Sequence, residues 1–115
     1  MLEQFKIYSK AIDFFVWLFP MVNKFPKAQR FVLGQQIEKT ALEVLALIIR
    51  ANNQKDQVER KKILAQLDVE IEVLRVLLRV AYLLRFLSHK QYEYFLEKVD
   101  ELGKMLGGWM KTTSA

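Results

Sequence analysis

Apolar residues recur at helical spacing along almost the whole chain, and no segment alternates apolar and polar positions for long. Two prolines and four glycines are the main interruptions. Four helices separated by short links favour an all-α fold, an antiparallel up-down-up-down four-helix bundle. We predict the helices at about residues 2–21, 26–50, 58–87 and 89–107, followed by a frayed tail at 111–115.

Residues with known preferences at helix ends predict where several of these helices begin and end. Pro20 is predicted to kink or end the first helix, because proline removes a backbone donor and crowds the preceding turn. Ser88 and Gln91 have the spacing of a capping box, so one helix is predicted to stop and the next to start across a very tight turn. Gly107 and Gly108 are predicted to end the last helix.

The third helix is apolar around more of its circumference than a bundle core requires. At 100° per residue, the acids Asp68 and Glu72 share a narrow arc with Arg75 and Arg79, and aliphatic residues fill most of the rest. A core-facing stripe needs only about 100–140°. The surplus apolar surface predicts a homo-oligomer. The expected interface residues are Leu74, Leu77, Leu78, Ala81, Arg85 and Glu38.

The arginines of this helix have two interpretations. Glu72 precedes Arg75 by three residues, a spacing at which opposite charges stabilise a helix. Arg79 is explained less well in this way. Arg75 and Arg79 therefore form either internal ion pairs or a ridge that contacts a partner.

The chain has 115 residues, enough for one domain over residues 1–115, and 52% of them are hydrophobic. It contains no cysteine, which excludes a disulfide framework and a thiolate metal site. The N-terminal sequence carries charges unlike those of a secretory signal, and no apolar run is long enough to span a bilayer. We expect a soluble, cytoplasmic protein that does not associate with a membrane.

The net charge is +5, and its placement is uneven. Residues 1–66 hold 11 Lys and Arg against 6 Asp and Glu, whereas residues 67–115 hold seven of each. A basic surplus favours an anionic partner such as nucleic acid, although a solvated basic surface explains it equally well. The basic candidates are Lys24, Lys27, Arg30, Lys55, Arg60, Lys61 and Lys62.

Catalytic signals are sparse. The one histidine, His89, lies beside a predicted turn, where a solvated side chain is the simpler interpretation. No phosphate-binding loop, nucleophile elbow or zinc-protease motif is found, and a di-iron bundle would need two Glu-x-x-His pairs. We expect neither an enzyme nor a metal or other cofactor.

Three segments carry a resemblance to a known family. They are KFPKAQRFVLGQQIE at 24–38, LDVEIEVLRVLLRVAYLLRFLSHKQYEYF at 67–95 and ELGKMLGGWMK at 101–111. Together they resemble the accessory variability determinant proteins of diversity-generating retroelements. The wider group is the four-helix-bundle proteins found within ribosomal RNA intervening sequences.

The resemblance implies a non-catalytic four-helix bundle that assembles as a homopentameric barrel with a basic surface. Such proteins bind the reverse transcriptase of the retroelement and nucleic acid, and support mutagenic copying of the template-repeat RNA. Carried over by motif, the implied polymerase or nucleic-acid contacts are Lys24, Lys27, Arg30, Arg75 and Arg79.

An alternative is a structural homo-oligomer that binds only other proteins and whose basic charge is incidental. A reverse transcriptase gene beside this one would favour the first function over this alternative.

Overall fold

The computed structural model describes residues 2–114, with side chains from Lys6 to Thr113. Helix α1 is the first long helix, and a single turn α2, a π-helical segment and α3 together form the second. Helices α4 and α5 are the third and fourth. The bounds are α1 Leu2–Val22, α2 Lys27–Gln29, the π segment Arg30–Gly34, α3 Gln35–Asn53, α4 Gln57–Leu83 and α5 His89–Ser114.

The helices pack as a bundle, which confirms the prediction of an all-α helical bundle. Helix α1 packs against α3 and α5, and α4 packs against the same two helices. The rings of Phe14 and Phe95 lie 5.9 Å apart between α1 and α5. Tyr82 stacks on Tyr92 with ring centroids 4.3 Å apart, so the end of α4 lies beside the start of α5. The core between the helices is almost entirely aliphatic and aromatic.

The π segment lies where the second helix leaves its connection to α1. The Gln35 N–H donates to the Arg30 carbonyl, five residues back, which widens this turn. A Cβ placed on Gly34 would lie 3.0 Å from Cγ1 of Val22. Any larger residue here would therefore require Val22 to shift by a few tenths of an ångström, because the end of α1 approaches the backbone of this segment closely.

Helix α4 ends at Leu83, before the predicted end at Leu87. The Phe86 N–H donates to the Ala81 carbonyl at 2.9 Å, and Arg85 has a φ of +67°. These are the marks of a Schellman motif, which reverses the chain after a helix. The capping box is confirmed, since Ser88 N–H donates to Oε1 of Gln91 at 2.8 Å and Gln91 N–H donates to Oγ of Ser88 at 3.1 Å.

Helix α5 continues through Gly107 and Gly108 to Ser114, beyond the predicted end. The reason is tertiary: Trp109 is only 1% exposed, and the helix carries this large side chain into the core. Each mid-helix glycine costs about 1 kcal/mol, less than a buried tryptophan contributes. Of the predicted frayed tail, Ala115 lies outside the described residues, and the rest is helical.

Candidate functional site

The structure distributes the candidate cations over three places. Lys24, Lys27 and Arg30 lie in the connection between α1 and α3. Arg75 and Arg79 lie on α4, and the group from Lys55 to Lys62 surrounds the link between α3 and α4. The 19 residues of α3 separate the first place from the third by about 28 Å. The cations therefore do not form a single patch on one subunit.

Arg75 is engaged within the subunit. Its guanidinium forms an ion pair with Asp100 on α5, and its Nε lies 3.4 Å from a carboxylate oxygen of Glu72. The hydrogen bond to Asp100 raises the pKa of Arg75 above its already high ordinary value, so the side chain stays charged. An interhelical ion pair accounts for Arg75 without an external partner.

Arg79 differs from Arg75 although it lies only one turn further along α4. Its side chain is exposed, and none of the ion pairs among the described side chains involves it. Of Arg75 and Arg79, Arg79 is therefore the arginine that is available to an anionic partner.

Arg60 has a structural role at the opposite end of α3. Its Nε donates to the carbonyls of Ala51 at 3.1 Å and Gln54 at 2.9 Å. A cation that binds the last carbonyls of a helix satisfies acceptors that the helix itself leaves open. Lys62 lies 3.1 Å from Glu59 in an exposed ion pair, whereas Lys55 is simply exposed.

The α1–α3 connection combines cations with exposed apolar side chains. Lys24 and Lys27 are exposed, and Arg30 is half-buried with an enclosed Nε that makes no hydrogen bond in the described part of the chain. Phe31 and Val32 are more than 60% exposed. Sequence reasoning missed both apolar residues, because the helical pattern alone does not show which side of this segment the other helices leave uncovered.

Several residues expected at a subunit interface lie in the core instead. Leu74, Leu78 and Ala81 are 0% exposed, because α3 and α5 both pack on this side of α4. Leu77 and Glu38 are half-buried, and only Arg85 of the expected set is exposed.

The structure shows two rows of partly exposed residues, of which only Glu38 was among the residues expected at a subunit interface. The α4 row consists of Val69, Val73, Val76 and Val80. The α3 row consists of Glu38, Leu42, Leu45 and Ile49. Both rows have successive spacings of four, three and four residues, the pattern of a helix that packs lengthwise against another helix. The spacing was readable from the sequence, but the face that each row occupies was not.

The comparison with known families decides the identity. A family profile described as bAvd-like matches residues 5–113. This chain belongs to the bAvd-like family. A search of curated proteins found no match. The bAvd-like match spans every helix of the bundle and every candidate residue described above, and it confirms the resemblance that the sequence motifs indicate.

The described side chains of this bAvd-like chain contain no group of three or more His, Cys, Asp or Glu residues that could hold a metal ion. Over the same part of the chain, no helix combines the length and the apolar character needed to cross a bilayer. An open groove along α4 is lined by Asp68, Val69, Glu72, Val73, Val76 and Leu77.

Proposed function

We propose that this protein is a non-catalytic accessory subunit of a diversity-generating retroelement and acts in the cytoplasm. It binds the reverse transcriptase of the element and the template-repeat RNA or its cDNA, and so supports mutagenic retrohoming. The observation that carries the proposal is the bAvd-like match over residues 5–113. The net charge of +5 supports the nucleic-acid part of it.

The mechanism is multivalent electrostatics on a ring of subunits. Each subunit offers a few exposed cations, among them Lys55, Lys61 and Arg79. One such set binds phosphate weakly, but several copies held in one assembly act together at a high effective concentration. Contacts of this kind supply affinity without base specificity, which suits an RNA that must be held while its sequence is copied.

The proposed assembly uses subunits that are up-down-up-down bundles. Its support is the pair of rows on α3 and α4, which keep 46–60% exposure at Leu42, Ile49, Val69 and Val76 in the isolated subunit. The two rows differ in sequence, so a contact of the α3 row on the α4 row of the next subunit is heterologous. Repeated contacts of this type close into a ring when the rotation between subunits permits it. The number five comes from the family resemblance.

Salt dependence of RNA binding tests the nucleic-acid function. We expect the affinity for a labelled single-stranded RNA, measured by fluorescence anisotropy, to fall steeply between about 50 and 200 mM salt. Arg79→Ala should weaken binding and flatten the salt slope, because a phosphate contact is lost from every subunit. Lys62→Ala is the matched control, since Lys62 lies on the same helix but already pairs with Glu59.

A second function class remains open, a structural protein-interaction module without a nucleic-acid role. It is favoured by the internal engagement of Arg75 and Arg60, which removes two cations from the surface available to RNA. RNA binding that is absent, or that does not respond to salt, would contradict the nucleic-acid function and favour this module.

A further inference from the structure

One end of the bundle holds the entire excess of positive charge. The connection between α1 and α3 meets the connection between α4 and α5 here, since the rings of Phe25 and Phe86 lie 5.5 Å apart. We call the surface of residues 23–37 and 80–92 the basic end. Its cations are Lys24, Lys27, Arg30, Arg85 and Lys90.

The acids of the chain lie outside these two segments, although Glu93 directly follows the second one and its carboxylate lies 2.7 Å from Nε2 of His89. Neither segment of the basic end contains an Asp or Glu, although the chain has 18 Lys and Arg residues and 13 Asp and Glu residues. Outside the basic end, acidic and basic side chains are therefore equal in number. The two segments thus account for the net charge of +5 in the count of side chains, although each stops one residue short of an acid, Glu38 or Glu93.

The basic end also carries large apolar side chains in contact with water. Phe31, Val32, Leu83 and Leu84 are between 51% and 69% exposed. A phosphate backbone offers nothing that would cover the aliphatic members of this group. An apolar protein surface would bury them, and exposed apolar groups rimmed by charge are typical of protein contact sites.

Arg85 is placed at this end by an unusual backbone. It is the one non-glycine residue with positive φ in the described chain, and it occupies the position after a helix at which glycine is usual. Its N–H donates to the Tyr82 carbonyl at 2.9 Å, which holds this conformation. The left-handed conformation strains any residue with a Cβ, and such strain is concentrated at functional sites. The result is an exposed guanidinium next to Leu83 and Leu84.

We infer that the basic end is a docking surface for a protein segment that carries apolar side chains flanked by carboxylates. The inference rests on the proposed function in one respect, that the protein partner is the reverse transcriptase. The carboxylates of the partner segment are inferred from charge complementarity with the cations of the basic end. A protein is favoured over nucleic acid because a protein can bury the exposed apolar side chains. A second copy presenting the same end is disfavoured, because the ten cations of the two copies would repel one another. The rows on α3 and α4 are apolar except for Glu38, so they suit self-association better.

The test compares variants at the two ends of the bundle for binding to the purified reverse transcriptase encoded with this protein. Arg85→Gly removes the guanidinium and relieves the backbone strain, so it cannot fail merely by unfolding. Phe31→Ser removes the largest of the four exposed apolar side chains of the basic end. Lys55→Ala is the matched control, an exposed cation at the opposite end. Binding is measured by calorimetry and folding by thermal melting.

We expect Arg85→Gly and Phe31→Ser each to weaken binding of the reverse transcriptase by about fivefold or more, as truncation of a central contact residue does. Lys55→Ala should bind as the unmodified chain does. Arg85→Gly should melt at the same or a higher temperature. Affinity for single-stranded RNA should fall by less than affinity for the reverse transcriptase in the Phe31→Ser variant.

Other results would overturn the inference. If the unmodified chain binds the reverse transcriptase and both variants at the basic end bind equally well, the docking surface is elsewhere. If the variants keep reverse transcriptase binding but lose RNA, the end is a nucleic-acid surface. If they change the mass of the assembly, it is an interface between copies. Failure of the unmodified chain to bind the reverse transcriptase would overturn the proposed function and this inference with it.

Discussion

Truncation of one α4 leucine tests which face of α4 lies in the core of the subunit and which face is available to other subunits. Leu78 is 0% exposed, so Leu78→Ala removes buried methyl groups and leaves a cavity among side chains that cannot fully close around it. Such changes cost about 2–5 kcal/mol, and with no exposure to begin with we expect about 3 kcal/mol. Val76, two residues away, is 51% exposed and provides the control. Val76→Ala should change the free energy of unfolding by no more than about 0.5 kcal/mol per subunit, because alanine is the better helix former.

The assay is urea unfolding followed by far-UV circular dichroism at several protein concentrations, since self-association adds to apparent stability. Light scattering reports the mass of the assembly in parallel. We expect Leu78→Ala to lose stability at every concentration and Val76→Ala to weaken assembly. The assignment of faces on α4 would be refuted if Leu78→Ala cost less than about 1 kcal/mol and dissociated the assembly while Val76→Ala left it intact.

Two further predictions concern local contacts and use the same unfolding assay. Arg60→Ala should lower the free energy of unfolding by about 1–2 kcal/mol, because carbonyls at the end of α3 lose a charged donor; an unchanged value would show that water replaces the guanidinium at no cost. Gly34→Ala should lower the free energy of unfolding by about 1 kcal/mol or more, since the new Cβ would lie 3.0 Å from Val22. Gly107→Ala should instead raise the free energy of unfolding by up to about 1 kcal/mol, because its Cβ meets no atom within 4 Å. The reverse order of these two glycine variants would contradict the packing described for them.

Features that depend on a few consecutive residues were predictable from the sequence. The capping box needs only Ser88 and Gln91 at the right spacing, and both of its hydrogen bonds are present. The end of α5 was not predictable in this way. Gly107 and Gly108 favour a stop locally, but the burial of Trp109 depends on helices distant in the sequence. Tertiary packing outweighs local propensity when the local preference is worth only about 1 kcal/mol per residue.

The faces of α4 show a second limit of prediction from the sequence. An angular layout orders the residues around a helix, but it does not say which arc the neighbouring helices cover. Leu74 and Leu78 face the core because both α3 and α5 lie on that side, whereas Val69 and Val76 were left out of the expected interface. The width of the apolar arc of α4 did indicate more apolar surface than the core of one subunit needs. The spacing of four, three and four residues would have pointed to the valine row as that surface.

The ion pairs and charged surfaces show a third limit of prediction from the sequence. Asp100, the partner of Arg75, lies 25 residues away in the sequence, so only the packing of α4 on α5 reveals the pair. The basic end likewise arises from two segments that become neighbours through Phe25 and Phe86. The sequence alone shows a basic first half, whereas folding brings Lys24, Lys27 and Arg30 of that half to the same end as Arg85 and Lys90 of the second half.

The central claim is that this bAvd-like chain is a partner of a reverse transcriptase. Its most direct test is co-purification with the reverse transcriptase of the retroelement to which the protein is proposed to belong, followed by size-exclusion chromatography with light scattering. The proposed function predicts one complex that contains the reverse transcriptase and a multimer of this protein, stable at moderate salt. Elution of the two proteins separately, with each at the mass that it has alone, would contradict it.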